Sequence, residues 1–184
     1  MQRDLVERAM TGDHDAFAEL ARVSIGRLFV VARLILRDEA AAEDATQEAL
    51  VAAWRSIRGL RDPGRFDAWL HRLLVNACHG EARRRRRRGS IELHVEAFDA
   101  PQPDPNLGLF ERDQLERGFR RLDTDHRAVL VLHYYLGFTL DEAAEVLSIP
   151  PGTARSRLHR ATRAMRAALD ADARQRLAAG GRPA

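Results

Sequence analysis

The 184-residue chain contains no lysine, so all 30 of its basic residues are arginine. Arginine suits phosphate and guanine contacts through its planar bidentate fork, but a coding bias toward Arg and Ala is the better account of a total absence of Lys. Cys78 is the single cysteine, which excludes an internal disulfide and a cysteine-based metal cluster. Long apolar runs are missing too. LFVVARLIL is interrupted by Arg33 and is far shorter than the roughly 20 residues of a membrane span, which argues against membrane insertion. The opening MQRDLVERAM lacks the apolar stretch of a signal peptide, so the chain reads as cytoplasmic. There is no Gly-rich phosphate loop, nucleophile motif or acid cluster opposed by a second one. An enzyme is therefore not expected, nor a metal or other cofactor.

Charge is present but uneven. Residues 1–88 carry 17 Arg against 13 acids, residues 89–108 have four acids and no Arg, and residues 109–184 have 13 Arg against 10 acids. Two basic blocks flank an acidic strip. The strip contains PQPDP, where three prolines in five residues mark an extended linker rather than a packed element. Helical periodicity dominates on both sides, with no convincing strand alternation. The expectation is an all-α chain: an N-terminal helical domain over 1–88, a flexible acidic linker over 89–107, a C-terminal domain over 108–170 and a flexible tail over 171–184.

In the first domain Asp13 is placed to cap a helix to about Arg37, and Asp38 a second through about Ile57. RGLRDPG signals a loop over 58–64, and a third helix follows from about Arg65 to Arg88. In the second domain an amphipathic helix is expected near Leu107–Leu122. Thr124 is a plausible cap for the next helix, and Gly137 a residue that ends one. Thr139 and Glu142 have capping-box spacing. The text SIPP then breaks that helix before a longer basic one.

Residues 139–165 thus follow the plan of a helix-turn-helix, whose second helix enters the major groove. Arg155, Ser156, His159 and Arg160 form one stripe on it. By spacing alone they read bases or form a solvated face of a generic hairpin. Arg83–Arg88 cover every side of a helix end, so they meet phosphates or water. Asn76 and His79, just upstream, can offer polar edges to an unstacked base. Asp44, Gln47 and Glu48 share one acidic helix face. That face repels DNA, so it is either a protein-docking surface or ordinary solvated helix.

The blocks LRDEAAAEDATQEALVAAWRSI, FDAWLHRLLVNACHGEARRRRR and AVLVLHYYLGFTLDEAAEVLSIPPGTARSRLHRATRAMR, in this order, resemble the extracytoplasmic-function sigma factors of bacterial RNA polymerase. The likeness covers about residues 4–168, and GTARSRLHRA is its most specific part. It implies a non-enzymatic subunit whose partners are core RNA polymerase, promoter DNA and, in some relatives, an anti-sigma factor. By resemblance, Asp44, Gln47 and Glu48 dock on the clamp helices of the polymerase largest subunit, and Trp54 is a structural core aromatic. Arg65, Asn76, His79, Arg83 and Arg84 fall among the elements that melt and hold the −10 DNA. Thr153, Arg155, Ser156, His159 and Arg160 match the reader of the −35 duplex. The linker matches a segment threaded through the polymerase.

Two positions depart from the family pattern: Gly80, where many relatives have an acid, and Ser148, where the turn usually has Gly. Two rivals remain. A stand-alone helix-turn-helix regulator would bind duplex tightly without polymerase and leaves the acidic face unexplained. An enzyme or RNA-binding helical protein would need a catalytic cluster or an aromatic stacking surface.

Overall fold

The computed structural model describes residues 2–87 and 116–180, with side chains through residue 171. Every regular element among the described residues is helical. The linker expected over 89–107 lies outside them.

Helix α1 (Gln2–Met10) ends at a turn in which Gly12 takes φ 100°, a left-handed value that favours glycine. Helix α2 (His14–Leu36) then starts on Asp13, whose Oδ1 accepts from the Ala16 amide at 3.0 Å while Oδ2 takes Arg8 at 2.7 Å. The amide and the guanidinium together hold the Asp13 carboxyl below the usual carboxylate range. Arg37 closes α2 in the left-handed conformation, and Asp38 caps α3 (Glu39–Ser56) through the Ala41 amide at 2.7 Å. Both expected caps are therefore the observed ones.

The buried face of α3 is built almost entirely of alanine: Ala41, Ala42, Ala45, Ala49 and Ala53. Such small side chains allow close approach to the bulkier α2 and to α4 (Phe66–Arg87). Thr46, also buried there, satisfies its hydroxyl by donating to the Ala42 carbonyl at 2.7 Å.

Gly80 sits inside α4. A Cβ there would meet Arg84 Nη1 at 3.8 Å and Glu48 Oε1 at 4.0 Å, ordinary contact distances. Nothing in the packing requires glycine, so Gly80→Ala is expected to stabilise the fold by about 1 kcal/mol. Thermal unfolding should show a midpoint roughly 2–4 °C higher. A lower midpoint would mean that the helix needs glycine's freedom at this position.

In the second half, residues 116–120 form α5, and α6 spans Thr124–Leu130. Asp123, rather than Thr124, is the cap: its carboxylate accepts from the His126 amide at 2.8 Å, while Thr124 is the first helical residue and is buried. An acceptor side chain one residue earlier reaches the open amides, which the sequence pattern left undecided. α6 runs into a π-helical turn over Val131–Tyr135, and Gly137 follows with φ 75°. Thr139 and Glu142 form the expected capping box of α7 (Leu140–Leu147). Ser148 ends α7 by adopting the left-handed conformation itself, with φ 54° and ψ 43°, so the turn keeps its shape without glycine. Pro151 then opens α8 (Pro151–Gly180), where its missing N–H costs nothing.

The backbone of α8 stays helical ten residues beyond Asp170, through Gly180. Strong helix formers in ADARQRLAA account for the extension.

The two helical halves do not stand apart. One continuous apolar core joins α1–α4 to Val129, Leu132, Ala143, Val146 and Leu147 of the second half. A smaller cluster of Leu122, Leu130, Ala161 and Met165 holds α8 on α6.

Candidate protein and nucleic-acid surfaces

Three surfaces gather the residues singled out from sequence. On α3, Asp44, Gln47 and Glu48 are all exposed on one side. Val51 and Trp54 continue that side at 47% and 36% exposure, giving an acidic patch with an apolar end. Trp54 is thus no interior residue. It leans on His14 and Phe17, with ring centroids 4.6 and 5.0 Å away, and leaves an edge in solvent. Sequence reasoning missed Val51, although its place three residues after Glu48 was the available signal.

The second surface follows α4 and the loop before it. Asn76 and Arg83 are exposed. Arg84 is not an independent cation: it donates to Glu48 at 2.6 Å and to Glu81 at 2.8 Å, and these bonds raise its pKa further. Arg85 meets Asp38 at 2.7 Å. The six-arginine run therefore divides, with Arg84 and Arg85 tied back by acids while Arg83, Arg86 and Arg87 face outward. Glu81, only 6% exposed, organises this division by holding Arg84 and Arg85 from within. The structure thereby brings Glu48 of the acidic face beside Arg84 of the basic one, a pairing between helices that spacing along one helix cannot reveal.

His79 is half-buried, and burial lowers its pKa. Its Nε2 stands 3.1 Å from Asp125 Oδ1 without the alignment of a hydrogen bond. In the preceding loop Asp62 accepts from the Gly64 amide at 2.8 Å and fixes the turn into α4. A cleft of about 220 Å³ opens beside it, lined by Arg61, Arg65, Trp69 and Arg72 among others, and by Glu145 and Val146 of α7. Arg65 pairs with Glu145. Cys78 is fully buried, and burial pushes its thiol up to about 12, so it supplies no thiolate at ordinary pH. Among the described residues no group of three or more His, Cys, Asp or Glu could hold a metal ion. No described helix is long and apolar enough to cross a membrane.

The third surface lies on the first three turns of α8. Arg155, Ser156, His159 and Arg160 are exposed together, while Thr153 is half-buried at the start. Ala154 and Ala161 face the core, which orients the stripe outward. Ser156 donates to the Thr153 carbonyl at 3.0 Å, and Arg155 stands 4.0 Å from Asp141. Arg157 points elsewhere and meets Asp125 at 2.9 Å. One helix thus separates its cations into an open stripe and an inward contact.

A capped helix, a left-handed turn and a basic helix with an open polar stripe define a helix-turn-helix protein. Its all-helical first half is of the kind found in sigma factors: the family model Sigma-70 region 2 matches residues 20–88, and Sigma-70 region 4 matches residues 112–165. The chain is 31% identical over 158 residues to the ECF RNA polymerase sigma factor SigM of Mycobacterium tuberculosis, covering 86% of this chain and 79% of SigM. It is 25% identical to the ECF sigma factor SigW of Bacillus subtilis, over 92% of this chain and 97% of SigW. The solved structure of CnrH with the cytosolic domain of CnrY superposes with a TM-score of 0.66 at 29% identity, over 93% of this chain and 98% of that one. The sigma factor RpoE of Bartonella quintana, bound to the anti-sigma factor NepR, superposes at 0.67 with 25% identity, over 85% and 98%. This chain belongs to the ECF sigma factors of RNA polymerase.

Proposed function

We propose that the chain binds core RNA polymerase through the acidic face of α3 and gives the polymerase its promoter specificity through two separate DNA surfaces. The observation that carries this reading is the sorting of charge on one scaffold. An exposed acidic and apolar face on α3 repels DNA and suits a protein partner, while the open stripe on α8 suits a major groove.

Within this reading Arg155, Ser156, His159 and Arg160 read the −35 duplex, with Thr153 at the helix entrance. Asn76, His79, Arg65, Arg83 and the cleft beside the loop serve the −10 strand, where exposed bases can be held outside the stack. Arg84 supports that surface while tied to Glu48 and Glu81. The two working parts are residues 1–88 and 108–170, joined by the acidic segment 89–107. The chain acts by binding, in the cytoplasm, and the chemistry of RNA synthesis belongs to the polymerase. CnrH is seen with the cytosolic domain of CnrY, and RpoE with the anti-sigma factor NepR, so an anti-sigma factor is the further partner to seek.

Run-off transcription with purified core polymerase and the chain's own upstream DNA tests the reading. A discrete transcript should require both the chain and the polymerase. Tight duplex binding with no transcript would favour the stand-alone regulator.

A further inference from the structure

Tyr134 and Tyr135 stand 66% and 50% exposed just after α6, and neither belongs to the three surfaces above. The π-helical turn over Val131–Tyr135 carries them, a distortion found frequently beside functional sites. Both rings line an open cavity of about 420 Å³. Leu34 of α2 walls it from the first half, Phe119 of α5 and Leu130 of α6 from the second, and Met165 and Leu169 come from α8.

The walls are fixed by their own packing. A Cβ on Gly118 would stand 2.7 Å from Met165 Sδ, so α5 lies directly on α8 beside the cavity. Leu130 and Met165 belong to the small cluster with Leu122 and Ala161, and Leu34 packs on the main core. The cavity is thus preformed between helices already held in place.

Its polarity is one-sided. Thr162 donates its hydroxyl to the Leu158 carbonyl at 2.9 Å, so that group is already satisfied. Arg166 is the one charged side chain on the lining; it is exposed, and no acid among the described residues pairs with it. An apolar body with one cation at the rim complements a molecule that is apolar along its length and anionic at one end. The volume selects a small ligand, because a stably docked protein covers about 800 Å² on each partner.

We propose that this cavity binds a small apolar carboxylic acid, with its chain between α5, α6 and α8, its carboxylate on Arg166 and the two tyrosine rings beside it. None of the polymerase or DNA residues lines the cavity, so the proposal is independent of those readings.

The experiment titrates the full chain with decanoate, decanol and acetate, followed by calorimetry and thermal unfolding. Decanoate should occupy one site per chain and, at about ten times its Kd, raise the unfolding midpoint by roughly 3–6 °C. Acetate has the charge without the chain and should not bind. Decanol lacks the charge that meets Arg166 and should bind roughly fivefold more weakly than decanoate. Arg166→Gln should weaken decanoate by the same roughly fivefold and leave decanol unchanged. Arg163→Gln removes an exposed cation of the same helix outside the cavity and should change neither ligand by more than about twofold. Tyr135→Glu sets a carboxylate on the apolar wall and should weaken decanoate at least roughly tenfold. Its exposed position spares the fold, which the midpoint without ligand checks. Absence of saturable binding, more than one site per chain, or decanoate affinity indifferent to either Arg166→Gln or Tyr135→Glu would overturn the site. Decanol bound as tightly as decanoate would overturn the carboxylic-acid class.

Discussion

Replacing Asp44 and Gln47 together by arginine is expected to abolish co-elution of the chain with core RNA polymerase while leaving its circular dichroism unchanged. Both side chains are exposed on α3, and surface charges of this kind contribute about 0–1 kcal/mol to folding. Like charges brought together across a docked interface cost several kcal/mol, enough to remove a complex from a gel-filtration profile. Glu48 is the poorer choice for this test because it is paired with Arg84 at 2.6 Å. Reversing it would also release Arg84 and confuse a docking defect with a changed DNA surface. Val51→Asp, at the apolar end of the same patch, should weaken co-elution through a different chemistry. Normal co-elution of a folded Asp44→Arg/Gln47→Arg chain would remove the docking role of α3 and restore the stand-alone regulator as the better account.

The second large effect is expected at the start of α8. Arg155 and Arg160 are both exposed on the stripe, and a bidentate arginine contact to a base edge is worth about 1–3 kcal/mol. Arg155→Ala/Arg160→Ala should therefore lose about 2–6 kcal/mol of affinity for the cognate −35 duplex if the sites act independently. Binding to shuffled duplex should fall much less. Arg157→Ala is the informative comparison, because Arg157 turns inward to Asp125 and should leave the specificity ratio unchanged. Fluorescence anisotropy with both duplexes, over a salt series, measures the ratio. Equal weakening on cognate and shuffled DNA would mean that Arg155 and Arg160 touch only phosphates.

Much of the helical organisation was legible because its signals are local. The Asp13 and Asp38 caps and the Thr139–Glu142 box each close within four residues. The α8 stripe was legible for the same reason: helical geometry alone puts 155, 156, 159 and 160 on one side. Trp54 was misread because its exposure depends on what stands beside it. The resemblance made it a core aromatic, but here His14 and Phe17 cover only part of the ring. The cap at Asp123 rather than Thr124 was missed because adjacent acceptors compete and backbone placement chooses between them.

The sequence by itself determined the all-helical class, the places where most described helices begin and end, and the residue types offered on each helix face. It did so because caps, turns and helical period act over four residues or fewer. The tertiary structure decided which of those faces meet. It tied Arg84 to Glu48 across 36 residues of chain and set Arg65 against Glu145 across 80. It also buried Glu81 beneath the arginine run and joined the two halves in one apolar core. These outcomes depend on the packing of helices distant in sequence, where ion pairing and burial select among faces that local periodicity leaves equally available.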